Sequence, residues 1–191
     1  MYDDEFELTF DLSDEDKASR APEPEQEPVQ EAAPEPAAET EPPVEAVPEP
    51  AVPAANGRCV LISGGDRGIG AAAARAFWQA GYRVAVLYHT HAEAAAALEK
   101  ELPGLLAVQC DVASRASCEV AFHTVEQAVG HVDVLVSNAG IAQQKLFTDI
   151  TPEEWQHMLD VNLSGAFHLC QLALPGMIRR KAGRILTVSL S

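Results

Sequence analysis

The 191 residues include 29 acidic and 13 basic side chains, for a net charge of −16. No run approaches the roughly 18 apolar residues of a membrane span, and the N-terminus has neither the basic start nor the apolar core of a secretory leader. These features speak against a membrane protein and against a nucleic-acid binder working through a basic face, and a cytoplasmic protein is expected.

The charge is unevenly placed. Residues 1–57 hold 17 acidic and 2 basic residues and 10 of the 13 prolines, a net of −15. Residues 58–191 hold 12 acidic and 11 basic residues, a net of −1. The chain thus divides into an acidic Pro/Glu/Ala-rich tail over 1–57 and a folded portion over 58–191. From Ala21 to Ala55 the tail is built almost wholly from Pro, Glu, Ala, Gln, Thr and Val. Such a segment buries too little apolar area to offset the entropy of ordering, so a disordered, extended spacer is expected. Ahead of it, Phe6, Leu8, Phe10 and Leu12 alternate with polar or acidic residues. That pattern suits a docking peptide for a protein that offers a sheet edge, or simply an acidic terminus with a few apolar residues.

Cys59 to Ile62 is a short apolar run that predicts a strand, and Ala71 to Ala80 predicts an Ala-rich helix. Between them lies Ser63-Gly64-Gly65-Asp66-Arg67-Gly68-Ile69-Gly70. A strand feeding a helix through a Gly-rich turn builds a phosphate-binding site. Glycines let the backbone approach a pyrophosphate, and the first-turn N–H groups and helix dipole hold its charge. Residues 82–88 predict a second strand. Thr90 then caps a helix that runs to about Leu102, with Glu93 completing a capping box. Residues 105–110 predict a third strand, and Ser114 opens a helix lasting to about Val129. Residues 132–137 predict a fourth strand, followed by a loop. Thr151-Pro152-Glu153-Glu154 opens a long helix to about Lys181, with a bend near Gly165. Residues 183–189 predict a fifth strand.

The strands lack clean alternation, as expected where helices cover both faces of a parallel sheet. Right-handed crossovers then give a doubly wound α/β sheet in the order 3-2-1-4-5, with ligands beyond the carboxyl ends of its strands. The Gly-rich turn, Asp111, Asn138 and Ser189 all fall at such ends. Cys59, Cys110, Cys118 and Cys170 show no metal or redox spacing and are expected to be reduced thiols. His89 and His91 lack a third ligand at metal spacing, and no metal is expected.

With these residues placed, 58–191 resembles the N-terminal part of a short-chain dehydrogenase/reductase, a Rossmann-like fold. Ser63-Gly64-x-x-x-Gly68-Ile69-Gly70 matches the family's Thr-Gly-x-x-x-Gly-Ile-Gly turn, with Ser for Thr. Asp111-Val112 matches the pair whose carboxylate accepts from the adenine amino group. Asn138-Ala139-Gly140 matches the turn that supports the sheet and lies against the cofactor ribose. Asn162 matches the helix asparagine that holds a water in the family's proton relay. The texture is closest to bacterial β-ketoacyl–acyl-carrier-protein reductases, and Ala142 to Phe147 also resembles the elongation factor P aminopentanone reductases.

The resemblance implies a nicotinamide cofactor, and charge indicates which one. An acid at the end of the second strand would repel a 2′-phosphate, but Tyr88, His89 and Thr90 stand there. Arg67 within the Gly-rich turn can make paired bonds to a phosphate. NADP(H) is therefore expected, with a small-molecule or acyl-thioester carbonyl as substrate. The family's chemistry also needs a Tyr donor with a Lys four residues later, and a serine that positions the substrate. The only tyrosines here are Tyr2, Tyr82 and Tyr88, and none has Lys four positions on. The family uses the second serine of a Ser-Ser pair, where this chain has Leu190. Ser189 is the neighbouring candidate, and Ser191 would need a one-residue slip that turns its side chain over.

A truncated or frameshifted gene, or a fragment, is expected on this reading. Relatives would go on through two further strands and dimer-forming helices, so full-length forms are expected to be homo-oligomers. The fifth strand would be left as an apolar edge. Two functions follow: an NADPH-dependent carbonyl reductase seen as an incomplete copy, or a non-catalytic nucleotide-binding or interaction protein tethered by its tail.

Overall fold

A computed structural model describes residues 56–189, so the expectations for the acidic tail and for Leu190 and Ser191 lie outside the described residues. The five apolar runs form strands β1 (Cys59–Ser63), β2 (Arg83–Tyr88), β3 (Leu106–Gln109), β4 (Val134–Ser137) and β5 (Arg184–Thr187). All pair in parallel within one sheet of order β3-β2-β1-β4-β5, as the sequence predicts. Between them run α1 (Gly68–Gln79), α2 (Ala92–Glu101), α3 (Arg115–Val129), α4 (Pro152–Leu159) and α5 (Gly165–Arg180).

The central strand explains why alternation is missing. Every residue of β1 is buried, and its two side-chain rows face different layers. Val60 and Ile62 join Val84, Val86, Val134 and Val136 against Ala74 and Trp78 of α1 and Leu98 of α2. Leu61 joins Ala85, Leu87 and Leu135 against Ala121 and Val125 of α3 and Leu169 and Ala173 of α5. A strand covered on both faces has no polar row to show. Leu61 lies in register with Ala85 on one side and Leu135 on the other, which brings the carboxyl ends of three strands level.

Three local expectations change. Helix α1 begins at Gly68, ahead of the alanine run, so Gly68-Ile69-Gly70 form its first turn. The Thr90 capping box does not form. His91 is the N-cap of α2 without a side-chain cap bond, and the Thr90 hydroxyl lies 3.2 Å from His91 Nδ1. The predicted long helix is two helices joined by a π turn over Asp160–Ser164. Gly165 follows that turn because α5 crosses close to the β3–α3 connection. A Cβ there would lie 2.9 Å from Val112 Cγ2.

The caps at Ser114 and Thr151 form as predicted. Ser114 Oγ accepts from the Ser117 N–H at 3.3 Å. At α4, Thr151 Oγ1 accepts from the Glu154 N–H at 3.3 Å while Glu154 Oε2 accepts from the Thr151 N–H at 3.0 Å. Lys145 also pairs with Glu154, which holds this carboxyl below the usual carboxylate range. Its contribution is therefore present at neutral pH and is lost as pH falls through the depressed value. Thr151→Ala should lower stability by about 1 kcal/mol, read as a lower urea midpoint at unchanged slope. An unshifted midpoint would show that the cap carries no stability.

At the other end of the sheet, β5 is shorter than the predicted 183–189. It bonds to β4 and, among the described residues, to no strand beyond. Ile185 and Leu186 are 37 % and 47 % exposed, so the expected apolar edge is present.

Candidate functional site

The Gly-rich turn closes over the carboxyl end of β1. Gly64, at φ +62°, donates its N–H to Leu87 O at 2.8 Å, and the Gly65 N–H reaches the same carbonyl at 3.2 Å. Gly68 has φ +53°, the left-handed region that favours glycine, and a Cβ there would meet nothing within 4 Å. The turn therefore needs glycine for its backbone and leaves open space beside α1. The helix N-cap is Arg67, no side chain caps the first-turn N–H groups, and no acid lies in that turn. These features fit an anion such as a pyrophosphate.

Ser63 and Asn138 bind the neighbouring strand ends together. Ser63 Oγ accepts from the N–H groups of Asn138 at 3.0 Å and Ala139 at 3.1 Å. In return, Asn138 Nδ2 donates to Ser63 O at 3.2 Å and Gly64 O at 2.9 Å. After β3, Asp111 Oδ1 accepts from the Ala113 N–H at 3.0 Å, which leaves Oδ2 without a donor among the described residues. Val112 is buried, and its carbonyl lies 3.1 Å from His168 Nδ1. Asn162, inside the π turn, grips the loop after β4: Oδ1 accepts from the Ile141 N–H at 2.8 Å and Nδ2 donates to Ile141 O at 3.0 Å. Gly140 passes beside it, where a Cβ would lie 3.2 Å from Asn162 Oδ1.

These residues border one cleft of about 880 Å³. Gly64, Arg67, Gly68 and Ile69 line it from the turn and the start of α1, Asp111 and Val112 from the segment after β3, and Asn138, Ala139 and Gly140 from the segment after β4. Asn162 and Ser189 line it as well. Ser63 and Gly70 lie behind the lining as supports. Ser189 is exposed just beyond the end of β5. The sequence-derived set thus comes together around a single opening.

Two lining residues were not singled out as partners by sequence. Asp66 fills a variable position of the motif, and only its 9 % exposure marks it. His91 stands beyond the strand end, with Nε2 at 3.0 Å from the Arg67 guanidinium. Among the described residues, no group of three or more His, Cys, Asp or Glu is placed to hold a metal. The four cysteines are unbridged, and burial pushes the Cys59 thiol up to about 11. Cys110 borders the cleft with its Sγ 4.0 Å from that of Cys118. The hydrogen bond from Cys118 lowers the Cys110 pKa, while that same bond, with burial, raises the pKa of Cys118.

The model of the short chain dehydrogenase family matches residues 58–190. The acetoacetyl-CoA reductase of Paracoccus denitrificans is 39% identical over 132 residues, which cover 69% of this chain and 54% of that protein. The 3-oxoacyl-[acyl-carrier-protein] reductase MabA of Mycobacterium tuberculosis strain H37Rv is 39% identical over 131 residues, covering 69% and 50%. The crystal structure of gox2181 superposes with a TM-score of 0.64 at 32% identity, covering 69% of this chain and 53% of that one. The chain spans about half the length of the curated relatives it matches. Turn, sheet order and kinship agree, and this chain belongs to the short-chain dehydrogenase family of oxidoreductases.

Proposed function

We propose that residues 58–191 form the cofactor-binding half of an NADPH-dependent carbonyl reductase acting on 3-oxoacyl thioesters. The observation that carries this reading is the single cleft onto which the Gly-rich turn, Asp111, Asn138 and Asn162 all open. The substrate class comes from the reductases it resembles, which are named for acetoacetyl-CoA and 3-oxoacyl carriers. Bound dinucleotide would supply the hydride.

The chain's own residues do the holding. The first turn of α1 offers N–H groups to the pyrophosphate, and Asp111 offers its free carboxylate oxygen to the adenine amino group. Asn138 keeps the turn and the β4 loop in fixed relation so that the ribose has a constant floor. NADPH rather than NADH is favoured by the exposed Arg67 guanidinium and by the uncharged end of β2 at Tyr88. Asn162 positions the β4 loop through Ile141, and Ser189 stands where a substrate carbonyl would approach.

Within these 191 residues no tyrosine has a lysine four positions on. Tyr82 packs edge-on against Phe77, and Tyr88 ends β2 and lines the cleft. Neither supplies a proton donor beside Ser189. The 191-residue polypeptide alone is therefore expected to bind NADPH without reducing carbonyls. A positioned acid is worth typically about 10²–10⁴ in rate. NADPH oxidation with a 3-oxoacyl thioester should be measured for this chain and for one extended through a Tyr-x-x-x-Lys segment of a relative. Turnover only by the extended chain supports the reading, whereas equal turnover by both defeats it. The same assay separates a second reading, a nucleotide-binding interaction protein without catalysis. That reading predicts that the extended chain binds NADPH and stays inactive.

A further inference from the structure

Nucleotide binding through the Gly-rich motif leaves one acid of that turn unexplained. Asp66 is 9 % exposed, and its Oδ2 is shielded from solvent with no hydrogen-bond partner among the described residues. Leaving a carboxylate oxygen buried without a partner is costly. The nearby group able to balance its charge is His91, whose Nδ1 lies 3.6 Å from Oδ2, beyond hydrogen-bond reach, and 3.2 Å from the Thr90 hydroxyl. The other ring nitrogen, Nε2, is 3.0 Å from Arg67 Nη1. A guanidinium only donates, so Nε2 accepts, and the ring is neutral with its proton on Nδ1. The imidazole thus stands between a carboxylate and a guanidinium.

A 2′-phosphate would compete for this guanidinium, since paired bonds to its oxygens use the same N–H groups. Once Arg67 turns to the phosphate, Nε2 loses its donor and faces an anion with a bare lone pair. A proton placed there is favoured by the phosphate on one side and by Asp66 on the other. We propose that His91 and Asp66 are the proton-linked part of the 2′-phosphate site: binding of the phosphorylated dinucleotide takes up one proton at His91 Nε2. The new N–H then joins Arg67 as a donor to the phosphate, and Asp66 balances the imidazolium. This rests on the NADPH reading above.

Asp66 by itself would repel the phosphate, and His91 reverses that effect. The other titratable or charged groups that line this cleft are Arg67 of the turn, Tyr88 and His89 at the end of β2, Cys110 and Asp111 after β3 and His157 of α4, and Glu93 lies in the first turn of α2. NADH lacks the phosphate, so Arg67 stays on His91 and no proton is taken up. The sign follows from the proton taken up: raising pH removes it from the bound state, so affinity for NADPH falls relative to NADH.

The test uses calorimetry on the full 191-residue chain with NADPH and NADH at pH 5.5 and 8.5, in buffers of differing ionisation heat. One charge-assisted hydrogen bond is worth about tenfold in affinity or more. The preference for NADPH should therefore fall about tenfold from pH 5.5 to 8.5 relative to its change in His91→Gln, with proton uptake in the parent chain alone. The comparison with His91→Gln removes the ionisation of the phosphate itself, which titrates near pH 6 in both proteins. Equal pH profiles for the two proteins would overturn the proposal. So would an Asp66→Asn variant that binds NADPH more tightly at every pH, because the carboxylate would then only repel. NADPH preference without pH linkage defeats this inference alone, and binding of neither dinucleotide defeats the cofactor reading too. A second readout is the His91 ring resonance with 2′,5′-ADP against 5′-AMP. A protonation shift with the first ligand alone supports the proposal, and its absence counts against it.

Discussion

Gly70→Ala is expected to destabilise the chain by about 2–3 kcal/mol and to weaken NADPH binding on the order of a hundredfold. A Cβ at this position would lie 2.1 Å from Gly64 O and 2.7 Å from Asn138 Nδ2. The first of these is backbone, so no rotamer change relieves it. Either α1 withdraws from the turn or Gly64 gives up its place, and Gly64 has its own close neighbour in Ala139 Cα, at 3.0 Å from where its Cβ would stand. The loss in affinity corresponds to one charge-assisted N–H bond to phosphate, at about 1.5–3 kcal/mol. Urea unfolding and calorimetry with NADPH read the two effects separately. Parental affinity in the alanine variant would show that the turn shifts freely and that close helix–turn approach is not what builds the site.

The second large effect is expected at Ser63, which is 1 % exposed. Removing Oγ leaves the N–H groups of Asn138 and Ala139 without their acceptor. At about 1–3 kcal/mol for each fully buried orphan, and with Asn138 and Ala139 only half-buried, Ser63→Ala should cost roughly 2–4 kcal/mol. Ser63→Thr keeps the hydroxyl and supplies the residue found in the family motif, so it should retain most of the stability. Urea midpoints of the three proteins decide the matter. A threonine variant as weak as the alanine variant would mean that space, rather than the acceptor, dictates this position.

Much of this architecture was legible in the sequence because it rests on local signals. Short apolar runs bounded by glycines and caps located all five strands, and the spaced motifs fixed their order. Ser114 and Thr151 cap as read, since an N-cap bond spans only three residues. What escaped depends on residues far apart in the chain. Helix α1 starts earlier than the alanine run indicates because glycine is a poor helix former, and Gly68 enters the helix at φ +53°, which no helical pattern in the sequence signals. The Thr90 box failed because His91 lies between the Gly-rich turn and α2, a neighbour that no local pattern shows. Among the candidate site residues, glycines, Asp111 and Asn138 were visible through motif spacing. Asp66 was not, because its burial comes from tertiary packing.

The π turn sets a constraint on length. It holds one residue more than an α-helical turn would, and the Gly165 N–H bonds back five residues to Asp160 O. Ahead of it, α4 is anchored by the Thr151–Glu154 cap, and after it α5 presents Leu169, Ala173 and Met177 to the sheet. Wound this way, five residues turn the chain about as far as four do in an α-helix, so deleting one between 160 and 164 would leave the Leu169 row on the sheet and remove only the bulge. What such a deletion takes away is the placement of Asn162 against Ile141. The extra residue thus serves the loop after β4 rather than the core, and the helix pair could be shortened here with its packing kept and its grip on that loop lost.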